Sequence, residues 1–291
     1  MIPPAFDYAV PKTINEAISL LTQNPGSKIL AGGHSLIPMM KFRLASPPLL
    51  IDINRLDGLA YIREEGGWLK IGALTREVDL ERSALVSDRY PLLADTTRSI
   101  ADPIVRQMAT VGGNLAHGDP ANDHPATMLA YGAQVVAVGP HGERVIPCTE
   151  FFVDLFQTAL AADEILTEIR IPAHQPHSGG AYLEIERKVG DYGTVGVAAQ
   201  VTLDAAGNCA RVGLGLTNVG LVPVEPTQAE AALQGQAPDD AHVRQAAVLA
   251  AEAAQPNADR RGSEAYKRSL VKTLTVRALR SAVARAKGGA A

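Results

Sequence analysis

The chain is poor in cysteine: 291 residues carry only Cys148 and Cys209, far apart and in no C-x-x-C arrangement. Alone it can hold neither an iron–sulfur cluster nor a four-cysteine zinc, and so few thiols fit a reducing cytosol. It also lacks long apolar runs; none approaches the roughly 20 residues that cross a bilayer. The first thirty residues contain Asp7, Lys12 and Glu16 and no apolar stretch of signal-peptide length, which argues against export through a cleaved signal. A soluble, cytoplasmic protein is expected. There is no excess of positive charge: 27 Lys and Arg stand against 31 Asp and Glu, a formal charge of −4, so a nucleic-acid partner is not expected. No repeat of fixed period is present, and His117 and His124 have neither helical metal spacing nor a nearby third ligand. A serine triad or paired catalytic carboxylates are likewise missing. The nearest match to a dinucleotide fingerprint, Gly213-Leu214-Gly215, continues to Gly220 with the wrong spacing, and no Walker lysine follows any glycine turn.

What the chain does have is a pair of glycine turns with the same internal logic: Leu30-Ala31-Gly32-Gly33-His34-Ser35-Leu36 and Thr110-Val111-Gly112-Gly113-Asn114. Each follows an apolar run and is followed by polar side chains. Without a Cβ, glycine lets a ligand approach the main chain and tolerates positive φ, and successive N–H groups in such a turn form a concave anion site. Either turn alone is equally well a tight strand-to-helix connection. Together they suggest one ligand with two phosphates gripped from both sides, a dinucleotide held by neither of the two common nucleotide folds.

Periodicity divides the chain into three units, residues 1–55, 56–176 and 177–291. In the first, Thr13 and Glu16 read as a capping box ahead of a helix, residues 28–31 as a short strand feeding the first turn, and Ser35 as the cap of a helix ending near Ala45. Residues 49–53 read as another strand. In the second unit the spacing shifts towards two at Leu69, Ile71 and Ala73. Residues 80–94 then read as a helix, 122–130 as another, 134–138 and 144–147 as a hairpin, and 164–172 as a closing strand. Residues 173–179 read as a linker. Strands over 182–187, 194–203 and 209–219 follow, then helices over 227–233, 240–254 and 263–287.

Three further stretches invite a functional reading. Asp119 to Pro125 caps a helix, and a carboxylate beside a phosphate turn can also accept from a ribose diol, with Asp123 the candidate. Lys188 to Gly193 joins two strands; alternatively Tyr192, displayed beside Gly190 and Gly193, covers a planar ring. The basic C-terminal helix with Arg277, Arg280 and Arg285 is a solvated face or a surface that docks a partner.

These residues resemble a known family. Ala31-Gly-Gly-His-Ser35, Thr110-Val-Gly-Gly-Asn114, Ile71-Gly72-Ala73 with Thr75, Asp119 to Pro125 and Gly190-Asp191-Tyr192 follow the order and spacing of the FAD-binding medium subunits of the molybdenum hydroxylases, the xanthine dehydrogenase family. Within it, Arg187 to Tyr192 and Leu216 to Val219 are most similar to the aerobic carbon monoxide dehydrogenase branch. The resemblance implies an α+β protein with a vanillyl-alcohol-oxidase (PCMH)-type FAD domain of two α/β subdomains and a C-terminal antiparallel sheet with helices. It implies that Leu30 to Leu36 and Thr110 to Asn114 cradle the FAD pyrophosphate, that Asp123 binds the adenosine side, that Ile100 and Leu166 line the flavin or adenine environment, and that Asp191 and Tyr192 sit by the isoalloxazine. It further implies a partner large subunit with the molybdenum cofactor, a partner small subunit with two [2Fe–2S] clusters, assembly as a dimer of heterotrimers, and a quinone or other electron acceptor at a membrane surface. A relative acting on a heteroaromatic, an aldehyde or an acyl thioester is the alternative. The chain departs from the family pattern at Ala109, Gly193, Glu184 and Glu186.

Overall fold

The computed structural model describes residues 2–289. The elements are β1 (Asp7–Ala9), α1 (Ile14–Gln23), β2 (Lys28–Leu30), α2 (Leu36–Lys41) and β3 (Leu49–Asp52); then β4 (Ile62–Glu65), β5 (Trp68–Gly72), α3 (Glu77–Arg82), α4 (Ala84–Arg89), α5 (Pro91–Ser99), α6 (Pro103–Arg106), α7 (Val111–Ala116) and α8 (Asp123–Tyr131). They continue with β6 (Gln134–Gly139), β7 (Gly142–Pro147), α9 (Cys148–Phe151), β8 (Phe152–Asp154), β9 (Gln157–Thr158) and β10 (Ile165–Pro172), and end with β11 (Ser178–Ile185), β12 (Val195–Leu203), β13 (Cys209–Thr217), α10 (Thr227–Leu233), α11 (Asp240–Ala253) and α12 (Glu264–Ala286).

The first three strands form a parallel sheet, β1-β3-β2, whose register sets Leu30 beside Asp52. α1 starts where the sequence predicts: Thr13 Oγ1 accepts from Glu16 N at 3.1 Å, while Glu16 reaches back one residue further than a capping box, to Lys12 N at 2.7 Å. α2 ends at Lys41 rather than near Ala45, because Arg43 takes a left-handed φ of 63° and the chain folds back with Leu44 N donating to Met39 O at 2.9 Å.

The middle sheet is antiparallel, in the order β4-β5-β10-β6-β7. A bulge between Leu166 and Glu168 frees Thr167 O to accept from Ala73 N at 2.9 Å, tying the end of β5 into the sheet. Residues 80–94, one helix by spacing, form parts of α3, α4 and α5. Ser83 turns the chain and caps α4 through Val86 N, and Pro91 has no N–H with which to continue a helix. Apolar side chains of this sheet and of α3, α5, α7 and α8 make the main core, among them Leu69, Ile71, Leu92, Val111, Leu115, Met128 and Ile169. Leu74 and Ile165 of the middle unit are buried with Ala17, Ile18 and Ile51 of the first, so these two units share packing.

The third sheet, β11-β12-β13, is antiparallel. Its strands bury Val195, Val197, Ala199 and Val201 against α11 and α12. β11 begins at Ser178, inside the stretch that reads as linker, because Gly179 lies against the backbone of α12 at Ala282 and Ala286, too close for a side chain. The other face takes α5 and α8; Gly213 and Gly215, the pair that mimics a nucleotide fingerprint, let α8 lie directly on β13 through the carbonyls of Ala130 and Ala126. Tyr182 and Ala198 thereby join the main core. Among the described residues no helix is long and apolar enough to cross a membrane, and no cluster of metal-binding side chains is present.

Candidate functional site

β2 delivers the first glycine turn beside the second. A Cβ on Gly32 would lie 2.5 Å from Met108 O and 2.9 Å from Ala109 Cα, so the turns touch through bare main chain. In the first turn Gly33 has φ 76°, and the amides of Gly32, Gly33, His34, Ser35 and Leu36 have no protein acceptor among the described residues. His34 bends back so that its Nδ1 meets Gly32 O at 2.9 Å, and Ser35 starts α2 without a side-chain cap bond. Five successive donors around a left-handed glycine are the geometry that receives an anion.

The second turn differs, and it corrects the expectation of two matching amide cradles. Val111 N donates to Thr75 O at 3.0 Å, Gly112 N to Ala73 O at 3.0 Å, Gly113 N to Thr110 Oγ1 at 3.2 Å and Asn114 N to Thr110 O at 2.9 Å. These amides are used in holding α7 to β5 and in starting the helix. Gly112 is glycine for packing, since a Cβ there would strike Ala73. What remains for a ligand is the Asn114 side chain, whose buried Oδ1 has no hydrogen-bond partner.

Asp119 to Asp123 follows directly. Asn122 Nδ2 donates to Asn114 O at 2.8 Å, and Asp119 Oδ1 accepts from Ala121 N at 2.9 Å, which fixes the entry into α8. Asp123 accepts from the Tyr182 hydroxyl at 2.6 Å, and burial pushes its carboxyl up to about 6. Burial, reinforced by the Asp123 charge, pushes Glu184 up to about 9. Two of the family departures meet here. A Cβ on Gly193 would stand 2.5 Å from Glu184 Oε2, so Glu184 takes the room that a side chain at 193 would fill.

The loop carrying Gly190-Asp191-Tyr192 lies over this region. Gly190 sits against Ala101 and Asp102, next to Ile100, whose carbonyl accepts from Arg106 Nη1 at 2.8 Å. Asp191 is committed to Arg261 at 2.8 Å and to Tyr192 N at 2.9 Å, and the guanidinium holds its carboxyl below the usual range. Tyr192 is 45% exposed, and partial burial with the charges of Asp119 and Asp123 raises its hydroxyl. Asn218, itself at φ 60°, donates to Gly193 O at 2.8 Å and pins the loop's end.

The structure thus brings Ala31 to Leu36, Thr110 to Asn114, Asp123, Ile100, Asp191 and Tyr192 into one chain of neighbouring segments. Leu30 ends β2 immediately behind the first turn. Leu166 lies on β10, buried in the main core that also holds Val111 and Leu115. His124 is wholly buried with Nε2 2.8 Å from Glu77 Oε2. Sequence reasoning passes over Asn54 and Arg76, which link the two turns; each is an isolated polar residue in no motif, so no local signal marks it.

A glycine turn with free amides, an unpartnered Asn114 oxygen beside it and an acid at the start of α8 form a donor and acceptor set that fits a dinucleotide diphosphate and ribose. Comparison with known proteins agrees: residues 4–174 match the FAD binding domain in molybdopterin dehydrogenase, and residues 180–282 the CO dehydrogenase flavoprotein C-terminal domain. The chain belongs to this family of flavin-binding molybdopterin dehydrogenase subunits. It is 44% identical over 287 residues to the carbon monoxide dehydrogenase medium chain of Hydrogenophaga pseudoflava, covering 98% of this chain and 99% of that one. A solved carbon monoxide dehydrogenase structure from the same organism, lacking the Mo-pyranopterin moiety of its cofactor, superposes with a TM-score of 0.95 at 45% identity, over 98% of this chain and 99% of its counterpart. The alpha subunit of the 6-hydroxypseudooxynicotine dehydrogenase complex of Paenarthrobacter nicotinovorans is 37% identical over 99% of this chain and 97% of its own length.

Proposed function

We propose that this chain is the FAD-carrying electron-transfer subunit of a molybdenum- and iron–sulfur-containing dehydrogenase of the carbon monoxide dehydrogenase type. The observation that carries the reading is its end-to-end similarity to a carbon monoxide dehydrogenase medium chain, with neither chain left uncovered by more than a few residues. The amides of Gly32 to Leu36 and the Ser35 hydroxyl would hold the diphosphate. Thr110 to Gly113 would form the wall that the diphosphate lies against, and Asn114 would reach it with its side chain. Asp123 would take the adenosine side and Tyr192 the flavin ring, with Leu30, Ala31, Ile100 and Leu166 lining or backing the cofactor. Bound FAD supplies the exchange between single-electron and paired-electron transfer. The protein's part is to orient the cofactor and set the charges around it.

In this reading the substrate is oxidised on a separate large subunit with the molybdenum cofactor, and electrons arrive through a small subunit with [2Fe–2S] clusters before leaving to an acceptor such as a quinone. The complex is a cytoplasmic dimer of heterotrimers that associates peripherally with the membrane. A second reading, service to a hydroxylase of an N-heteroaromatic, is favoured by the nearly full-length similarity to the 6-hydroxypseudooxynicotine dehydrogenase subunit. Co-purification from the native host, with identification of bound cofactor and companion chains, separates them. FAD, two companions and bleaching of the flavin by carbon monoxide support the first; bleaching only by a heteroaromatic supports the second. A colourless chain that FAD does not protect from heat refutes both.

A further inference from the structure

Neither glycine turn contains Asn54 or Arg76, yet both turns are fastened to them. Asn54 follows β3, where Asp52 Oδ1 accepts its main-chain N–H at 2.9 Å and its side-chain Nδ2 at 2.7 Å, which fixes the orientation of the amide. The same Nδ2 donates to Ala31 O at 2.8 Å, immediately before Gly32-Gly33. Asn54 Oδ1 in turn accepts from Arg76 Nη2 at 2.7 Å. The other guanidinium nitrogen, Nη1, donates to Met108 O, the carbonyl that Gly32 approaches without a side chain.

Arg76 is bound to the second turn through its main chain as well. It forms an antiparallel bridge with Thr110, flanked by Glu77 N to Ala109 O and Val111 N to Thr75 O, both 3.0 Å. One residue therefore holds the second turn by backbone and side chain, and reaches the first turn across the boundary between units through one amide. We propose that Asn54 and Arg76 are the positioning pair that sets the spacing between the two glycine turns, and with it the fit of the FAD diphosphate; this rests on the FAD reading above.

The residue types suit the task. A planar guanidinium offers two forked donors to acceptors on different segments, which a lysine ammonium on a flexible stem does not reproduce. An amide accepts from the guanidinium and donates to Ala31 O at once, and a carboxylate has no proton for the second bond. Removing the pair leaves intact the shared packing of Ala17, Ile18 and Ile51 with Leu74 and Ile165, so the units stay docked.

The test uses the full-length chain, with FAD affinity read from quenching of flavin fluorescence well below the melting temperature and the apo melting temperature measured in parallel. Arg76→Ala and Asn54→Ala should each weaken FAD binding about tenfold or more, and ADP, which has the same kind of diphosphate, by a similar factor. Because the two side chains act as one unit, the double variant should bind no worse than either single one. Arg76→Lys should recover part of the loss, and Asn54→Asp should behave as Asn54→Ala. Variants that melt lower but bind FAD within about twofold of wild type, or losses that multiply in the double variant, overturn the proposal while leaving the cofactor assignment standing. A wild-type chain that binds no FAD overturns both.

Discussion

The contact between the turns makes Gly32→Ala a sharp perturbation. Gly32 has no left-handed φ, so alanine introduces no backbone strain there and the effect is crowding alone. Its Cβ would sit 2.5 Å from Met108 O. A carbon–oxygen contact settles at about 3.3 Å or more, so one main-chain segment must move by about 0.8 Å. Met108 O cannot simply swing away, since Arg76 holds it, and Ala109 Cα blocks the neighbouring direction at 2.9 Å. Overpacking of this kind costs about 1–3 kcal/mol. At about 2–4 °C per kcal/mol for a chain of this size, the apo protein should melt several degrees lower. The opened turn should also hold FAD about tenfold less tightly, since a displacement near 1 Å upsets donors aimed at a fixed diphosphate. Thermal melts with and without FAD, together with a flavin titration, read both quantities. A Gly32→Ala chain with wild-type melting and wild-type affinity would refute the view that the turns are in contact.

Other expectations follow from the same geometry. Gly193→Ala should change the melting temperature little, because the atom its Cβ meets at 2.5 Å is the far end of the Glu184 side chain, which can swing aside; a loss of several degrees would show that Glu184 is locked in place. Glu184 has a folded-state value raised to about 9, so the native state binds the extra proton and stability falls as pH rises from about 4.5, the ordinary value of a glutamate, to about 9. Melts of apo wild type against Glu184→Gln over that window should show the steeper decline in wild type, the rest coming from other buried acids such as Glu230, which burial pushes up to about 7. Arg285 donates to Gly180 O at 2.6 Å and pairs with Asp95, and Arg280 pairs with Asp240. Arg285→Ala should therefore destabilise the isolated chain by about 2 kcal/mol, measured by denaturant unfolding, before any effect on assembly is considered. An unchanged midpoint would return Arg285 to the role of a docking residue.

Much of this molecule is written locally in its sequence. Thr13, Asp102, Thr110, Asp239 and Ser263 each cap a helix that their residue type announces, and the alternation from Val195 to Leu203 gives β12 without help. The first glycine turn is legible too, because a short strand followed at once by Gly-Gly, with Gly33 at a left-handed φ, announces a turn whose main chain is open to a ligand. The second turn shows the same letters with a different outcome. Its amides meet Thr75 O and Ala73 O, carbonyls more than thirty residues away that only the folded β5–α3 corner brings near. Asn54 and Arg76 are hidden for the same reason, their partners being non-local and their neighbours unremarkable. Gly179, read as linker, is a strand residue because a distant helix presses on it.

The grip of Arg285 on Asp95 and Gly180 spans most of the chain's length and involves nearly its last turn of helix. α5 and β11 already touch where Leu92 meets Gly180, and this clamp is added only once the chain has been made through Arg285. Chains cut inside α12 before Arg285 would keep the Arg98 pair of Asp95 but lose the bonds to Asp95 and Gly180, a weakened seam at which proteases can enter.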